Sequence, residues 1–410
     1  MVLRKSVKKI RKAPAVASLE AEFLKRVRAR GGLSRVELAR ELNLVPTTAG
    51  AYVDRLIERG YLIESQRAHR SPGRPPTVLK PNPGGGRFIG IDFEAHHLRA
   101  VCVDFSQSFV NQLHIRFGTE DTVTERILKR IESAIEEMAG ARFDDILAIG
   151  VAVPGWIDPK TNTAIEYNFF PDWRNVPIGA LLEKRFKVPV FLENNIRAMA
   201  LAELWFGLGL GRENFVCVGT RSGIGSGIVA NGQLLHGQQN YAGEIGWWSC
   251  PVTESFPAAT SDSRGSTWRW KSGDRVESVA SLSAIERRMQ AAIENRTKTS
   301  LAKLGRTPEI SDFIEAVEAG DAFAGQVLDY VAGMHGWIAH QLSYVLNPEY
   351  IIFAGPLTEL GERFLRPIQT AAMQLTDDRL HTKITLSKIG EFNSALGAAA
   401  LALHEWKPKL

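Results

Sequence analysis

The stretch from Ser34 to Lys80 constrains this chain most, because two short amphipathic helices, a tight turn and two apolar strands follow one another there. Ser34 stands three residues before Glu37, the spacing of a capping box. Val36, Leu38, Ala39 and Leu42 give the first helix an apolar stripe. Asn43-Leu44-Val45 is a short turn, and Pro46 and Thr47 open a second helix at the position where proline loses no hydrogen bond. Ala49, Val53, Leu56 and Ile57 bury one face of it, which leaves Thr47, Thr48, Tyr52 and Arg55 on the other. Gly60 stops the helix. Tyr61 to Glu64 and Thr77 to Lys80 then form the two strands of a wing. The pattern predicts a winged helix-turn-helix rather than an ordinary helical hairpin, with the N-terminal residues of its second helix at base edges in the major groove. Ser34, Arg35, Thr47, Thr48, Tyr52 and Arg55 are the candidate DNA contacts. The wing tip, Ser71-Pro72-Gly73-Arg74-Pro75-Pro76, adds Arg74 on a narrow, extended backbone that suits an A·T-rich minor groove. Alone, the same residues would make a proline-rich linker with a solvated arginine; their place directly after the helices favours the wing.

Charge divides the chain in the same place. Of the 50 Lys+Arg and 45 Asp+Glu, residues 1–80 hold 18 and 7, leaving 32 and 38 for the rest. A basic head on an acidic body is the footprint of a nucleic-acid binder with a separate sensing or catalytic part. The length of 410 residues predicts two or three domains. Cys102, Cys217 and Cys250 are far apart and follow neither a disulfide nor a metal spacing, which points to the reducing cytoplasm. No apolar run is long enough to span a bilayer. Residues 1–18 carry Arg4, Lys5, Lys8, Lys9, Arg11 and Lys12 without an acid, as expected of a disordered tail that touches phosphates; a transit peptide or membrane-surface segment is the alternative.

Residues 19–80 form the head, beginning with a helix over 19–30. Pro72, Pro75, Pro76, Pro81 and Pro83 followed by Gly84-Gly85-Gly86 mark a linker, placed at 81–86. From Arg87 the pattern changes to mixed α/β: a hairpin and a third strand to Gly118, a helix over 122–139, and buried strands at 146–153 and 188–193. A helix over 194–206 follows, then strands at 215–220 and 227–230 around a glycine-rich turn. The chain is mostly helical from Ser281, with a short strand at 350–353 and a last alanine-rich helix over 394–404.

Taken together, several pieces resemble the ROK family, whose name joins repressors, uncharacterised frames and kinases. They are Asp92 in IGIDFEAHHLRA, Val153-Pro154-Gly155, Asn168 and Trp173 in YNFFPDWRNVPI, and Glu193-Asn194-Asn195. Ser222 to Gly227, Gly243-Glu244-Ile245-Gly246, Glu277 in VESVASLSAI, and NPEYIIFAGP complete the set, in the family's order. The winged head with Gly-Arg-Pro is that of the family's repressor branch. The resemblance implies an actin-like ATPase/sugar-kinase (ribonuclease H-like) fold for residues 87–410. Its two lobes would be about 87–195 with the C-terminal helix 394–405, and about 196–393. It further implies that Gly155, Asn168, Asn194, Asn195, Glu244, Trp247 and Glu277 line a sugar site.

Three departures from the family's kinases change the chemistry. Where they open with Asp-x-Gly-x-Thr, this chain has Asp92-Phe93-Glu94-Ala95-His96, so a carboxylate stands where phosphate would come. Where they carry Asn-Asp, this chain has Asn194-Asn195, and an amide cannot take the proton of an attacking hydroxyl. Where many members have His and a zinc-binding Cys cluster, this chain has Trp247 and a lone Cys250 before a Ser/Thr-rich loop with Trp268 and Trp270. The glycine run at Ser222 is then expected to be a structural turn, with Arg221 on phosphate or facing solvent. No catalytic residue, metal or cofactor is expected. The partners expected are a palindromic operator, a sugar or sugar derivative, and a second copy in a dimer or dimer of dimers. The competing functions are an ATP-dependent sugar kinase with an appended head and a ligand-independent DNA-binding protein.

Overall fold

The computed structural model describes residues 16–66, 77–118, 123–250, 273–377 and 379–409. The head consists of α1 (Val16–Arg30), α2 (Arg35–Glu41), α3 (Pro46–Glu58) and an antiparallel hairpin of β1 (Leu62–Gln66) and β2 (Thr77–Pro81). The capping box forms: Ser34 Oγ accepts the Glu37 N–H, and the Glu37 carboxylate accepts the Ser34 N–H at 2.7 Å. Pro46 opens α3, and Gly60, at φ +74°, lets the chain turn out of it. Leu33 pairs with Leu79 in a single antiparallel bridge, adding a third, one-residue strand to the wing sheet. Two local expectations need correction. Val36 is 58% exposed, because Leu38 and Ala39 alone face the core from α2. Tyr52 is half-buried instead of lying on the solvent face, since its ring stacks on Phe23 of α1 at 5.3 Å. The wing tip with Arg74, the basic tail to residue 15 and the loop with Trp268 and Trp270 lie outside the described residues.

Composition alone makes 81–86 a linker, but these residues form a fixed corner. Pro81 ends β2, and Pro83–Gly85 is a single 3-10 turn whose cap, Asn82, also donates to the Gly60 carbonyl at 2.7 Å. The corner is held because head and body share one core. Phe23, Leu24, Leu56, Leu62 and Leu79 of the head cluster with Phe88, Phe105, Leu403 and Trp406 of the body.

The body begins with β3 (Arg87–Glu94), β4 (His97–Asp104), β5 (Phe109–Arg116), α4 (Thr124–Ala139) and β6 (Ile146–Val153). A small sheet of β7 (Trp156–Asp158), β8 (Thr163–Glu166) and β9 (Arg174–Val176) leads to α5 (Ile178–Phe186), β10 (Val190–Asn194) and α6 (Asn195–Phe206). The second half holds β11 (Phe215–Thr220), β12 (Ile224–Ala230), β13 (Gln233–Leu234), α7 (Val276–Ala280), α8 (Leu282–Glu294), α9 (Ile310–Glu318) and α10 (Ala322–Leu346). It closes with β14 (Tyr350–Ala354), α11 (Glu362–Leu375), β15 (Lys383–Leu386) and α12 (Asn393–Glu405). The two five-stranded sheets, β5-β4-β3-β6-β10 and β13-β12-β11-β14-β15, repeat one plan: an antiparallel meander followed by two parallel strands. This is the two-lobed plan of the actin-like fold.

The lobes meet at two helices. α12 lies on the first sheet and α6 on the second, and small residues bring them together. A Cβ on Gly90 would fall 2.0 Å from the Ala395 carbonyl oxygen, one on Gly150 1.9 Å from that of Ala398, and one on Gly397 1.7 Å from that of Ala198. Most of the glycine-rich run also serves packing instead of a turn. Gly225 and Gly227 lie in β12 against α6, where a Cβ on Gly227 would meet that of Ala200 at 2.4 Å.

Candidate functional site

A cleft of about 380 Å³ opens between the lobes, and all seven sugar-site candidates line it. Gly155 follows β6 at φ +74°, where a Cβ would lie 2.0 Å from the Glu166 carbonyl oxygen, so no other residue fits. Asn194 ends β10 and caps α6. Its side-chain oxygen accepts the Ile196 and Arg197 N–H groups at 2.9 and 3.2 Å, and its Nδ2 donates to the Gly155 carbonyl at 2.9 Å. That amide is therefore committed to shaping the cleft. Asn195 is buried at the first turn of α6, and its carbonyl accepts the Ser394 hydroxyl at 3.0 Å. Asn168 is exposed on the loop after β8.

Glu244 and Glu277 enter the cleft from the second lobe. Burial raises the pKa of Glu244, and the Glu277 charge adds to this against the opposing pull of Arg197 and the Trp156 indole. Burial likewise raises Glu277, opposed by the Ile224 N–H and the charge of Arg275. Trp247 is half-exposed at the rim, 5.9 Å from Trp156, with the Arg275 guanidinium 3.8 Å above its ring. Trp156 in turn meets Tyr241 at 5.0 Å, so the mouth has an aromatic wall. Trp156 was not among the sequence candidates, although it directly follows Pro154-Gly155.

The other end of the cleft holds a group that sequence reasoning placed differently. Arg221 neither meets solvent nor stands free for phosphate; it is 5% exposed. Its Nη2 donates to Asp92 at 2.9 Å and its Nε to Glu94. Burial would lower the Arg221 pKa, but the two carboxylates outweigh it and hold the guanidinium charged. The other Glu94 oxygen accepts the Ser222 N–H at 2.7 Å and the Ser222 hydroxyl. Tyr167, which follows β8, donates its hydroxyl to Ser222 Oγ at 3.1 Å. Asp92 also accepts the Ser394 hydroxyl at 3.0 Å, so the cluster touches both lobes and α12.

On the head, Thr47 and Thr48 are exposed at the N-terminus of α3. Ser34 is half-buried as a cap. Arg35 is tied to Asp54 at 2.6 Å and Glu64 at 2.9 Å, bracing α2 against α3 and β1. Arg55 lies over the Tyr52 ring at 4.3 Å and pairs with buried Glu20 at 3.3 Å, so this pair faces α1. Thr47 and Thr48 are thus separated from Tyr52 and Arg55 by their surroundings.

Comparison with known proteins agrees with this division. Residues 88–405 match the ROK family model, and residues 24–63 match a winged helix-turn-helix DNA-binding model. The chain is 25% identical to the xylose repressor of Caldicellulosiruptor bescii over 379 residues, covering 91% of this chain and 92% of the repressor. It is 30% identical to a glucokinase of Thermotoga maritima over 292 residues, covering 69% of this chain and 88% of the kinase. The crystal structure of a ROK family transcriptional regulator, a homolog of the E. coli MLC protein, superposes with a TM-score of 0.75 at 23% identity, covering 95% of this chain and 96% of that one. At that identity the superposition speaks for the fold alone.

Proposed function

This chain belongs to the ROK family, and we propose that it is a sequence-specific DNA-binding transcriptional repressor whose sugar-kinase-like body binds a sugar effector. The observation that carries this is the union of a complete helix-turn-helix with a kinase-type cleft in one chain. The xylose repressor matches across head and body, while the glucokinase covers 69% of the chain, less than the two parts together. The polyol-facing groups Asn195, Glu244 and Glu277 supply donors and acceptors, and Trp156 and Trp247 an apolar wall. Phosphoryl transfer lacks its base, since Asn195 stands at the position of the family's aspartate. Such a base contributes about 10²–10⁴-fold.

The operator is palindromic with A·T-rich flanks, read by Thr47, Thr48 and Arg74 of two copies. Its DNA partner places the protein in the cytoplasm; no helix among the described residues is long and apolar enough to cross a membrane. Effector binding between the lobes moves α12, which also touches the head, and so alters the spacing of the two heads.

Capture of fragmented genomic DNA by the purified protein at near-physiological salt, with and without a panel of hexoses and pentoses, tests this. A single enriched palindrome whose recovery one sugar changes is the expected result. ATP turnover with any of these sugars, abolished by Glu244→Ala, would make the protein a kinase instead.

A further inference from the structure

The turn at Arg221–Gly223 is built to hold an anion, and the chain fills it with its own. Three donors converge on Glu94: the Ser222 N–H at 2.7 Å, the Ser222 hydroxyl and the Arg221 Nε. A backbone N–H beside a glycine, a hydroxyl and a guanidinium are the donor set with which proteins hold phosphoryl oxygens. Here the carboxylate comes from β3, in the opposite lobe, and is 6% exposed. Tyr167 secures the arrangement through Ser222, and Asp92 takes the second edge of the guanidinium. The nest and the sugar-facing side chains line the same cleft.

The charges lining that cleft are mostly negative; of the cations near it, Arg197 is already paired with buried Glu193 and Arg275 lies over the Trp247 ring at the rim. Among the described lining residues, Arg221 is the sole Lys or Arg, and it already faces two carboxylates; Glu166, Glu244 and Glu277 add more. A phosphoryl group brings a charge of about −1.5 to −2. It would have to expel Glu94 from its three donors or lie beside carboxylates with its own charge unpaired. An uncharged sugar meets neither obstacle, and Glu244 and Glu277 accept hydrogen bonds from its hydroxyls without needing a counter-charge.

We propose that Glu94 is a resident anion that occupies the phosphoryl nest of this cleft, so that the effector is an unphosphorylated sugar and nucleotides are excluded. The choice of a sugar as ligand rests on the function proposed above; the occupied nest does not. Two titrations of the full-length protein separate the two. In the first, inorganic pyrophosphate and ADP are titrated by calorimetry into the wild type, Glu94→Gly and Glu94→Gln. The wild type shows no binding at millimolar ligand, and Glu94→Gly gains about 10–100-fold, the worth of the charge-assisted hydrogen bonds released. Should Glu94→Gly fail to fold, Glu94→Gln, which keeps the bulk and lifts the charge, must show the gain. Binding by the wild type as tight as by the variants, or no gain in a folded variant, overturns the proposal. In the second, D-glucose, D-xylose and N-acetyl-D-glucosamine are each compared with their phosphate esters on the wild type. A free sugar that binds while its ester does not is expected, and an ester that binds more tightly overturns the ligand class. If no sugar and no ester binds, the effector function fails, and the nest is decided by pyrophosphate alone.

Discussion

Gly397→Ala is the smallest change that tests how the lobes are joined. A Cβ at Gly397 lies 1.7 Å from the Ala198 carbonyl oxygen and 2.5 Å from its carbon, whereas ordinary contact begins at 3.4 Å, so α6 and α12 must part by about 1.7 Å. The obstacle is backbone and cannot rotate aside. Nor can α12 retreat toward the first sheet, where Gly90 and Gly150 already receive it without room for a Cβ. Overpacking of this kind costs about 1–3 kcal/mol, and a backbone obstacle belongs at the upper end or beyond. Replacing glycine by alanine inside a helix returns up to about 1 kcal/mol. The balance is a destabilisation of about 2 kcal/mol or more, and with an unfolding entropy of about 2.1 cal/mol/K per residue over a body of roughly 320 residues the melting temperature falls by about 3 °C or more. Ser394, three residues earlier, loses its 3.0 Å contacts with Asp92 and the Asn195 carbonyl, so effector affinity falls as well. Thermal denaturation by circular dichroism and calorimetric titration of the effector read the two effects. A variant that melts at the wild-type temperature and binds effector normally would refute the idea that this crossing is a tight joint.

Three further expectations come from other parts of the molecule. Trp406 is 5% exposed and stands edge-on to Tyr61 of the head at 5.2 Å, with Phe105 and Phe88 of the body at 5.8 and 6.1 Å; Trp406→Ala should remove about 3–5 kcal/mol from this seam, and the head should melt before the body. A single transition at the wild-type temperature would count against a shared core. His335 is fully buried, donates its Nδ1 proton to the Val331 carbonyl and accepts from Thr220, and burial lowers its pKa from 6.5 to about 4. The unfolded chain takes up this proton first as pH falls, so stability is fully present above about pH 6.5 and declines toward pH 4, by on the order of 3 kcal/mol for this group. His335→Gln should lose one proton's worth of that slope in urea melts across the range; an unchanged slope would show that other histidines, such as His97 and His404, account for all of it. Arg74→Ala should weaken binding most at A·T-rich operators, and an equal loss on all sequences would make Arg74 a plain phosphate contact.

What was legible in the sequence depended on range. The Ser34–Glu37 box, Pro46 at the start of α3 and Gly60 at its end are decided by neighbours within four residues, and they fold as the spacing predicts. The buried strands β6 and β10 are legible as apolar runs. Tyr52 was misplaced because what decides its environment is Phe23, on another helix. Arg221 was misplaced for the same reason on a larger scale: its partners Asp92 and Glu94 lie in the opposite lobe, and no local pattern records that pairing. Composition misjudged residues 81–86 because Pro and Gly serve a fixed corner as readily as a loose linker. The glycines of β12 suggest a turn in the sequence, but glycine also marks close packing, and α6 is the reason for them here.

The head and the cleft meet on α12. Near its start, Ser394 touches Asp92 and the Asn195 carbonyl; at its end, the Leu403 carbonyl accepts Arg28 Nη1 at 3.3 Å, and Trp406 follows directly. Thirteen residues at about 1.5 Å each make a rod of about 20 Å. Its contacts at Gly90, Gly150 and Gly397 leave no slack, so a shift at the cleft end is carried to the head end as a rigid displacement. The seam it acts on is held less firmly than its apolar contacts suggest. Arg28 is 8% exposed there, its guanidinium lies over the Phe105 ring at 4.3 Å, and its Nε and Nη2 have no partner among the described residues. Burial lowers its pKa to about 9. A guanidinium withdrawn from water with two of its three nitrogens unpaired opposes docking, while the surrounding aromatic rings favour it. The first term lowers the cost of altering how the head is docked, and an effector can shift that docking only by as much as its affinity differs between the two arrangements.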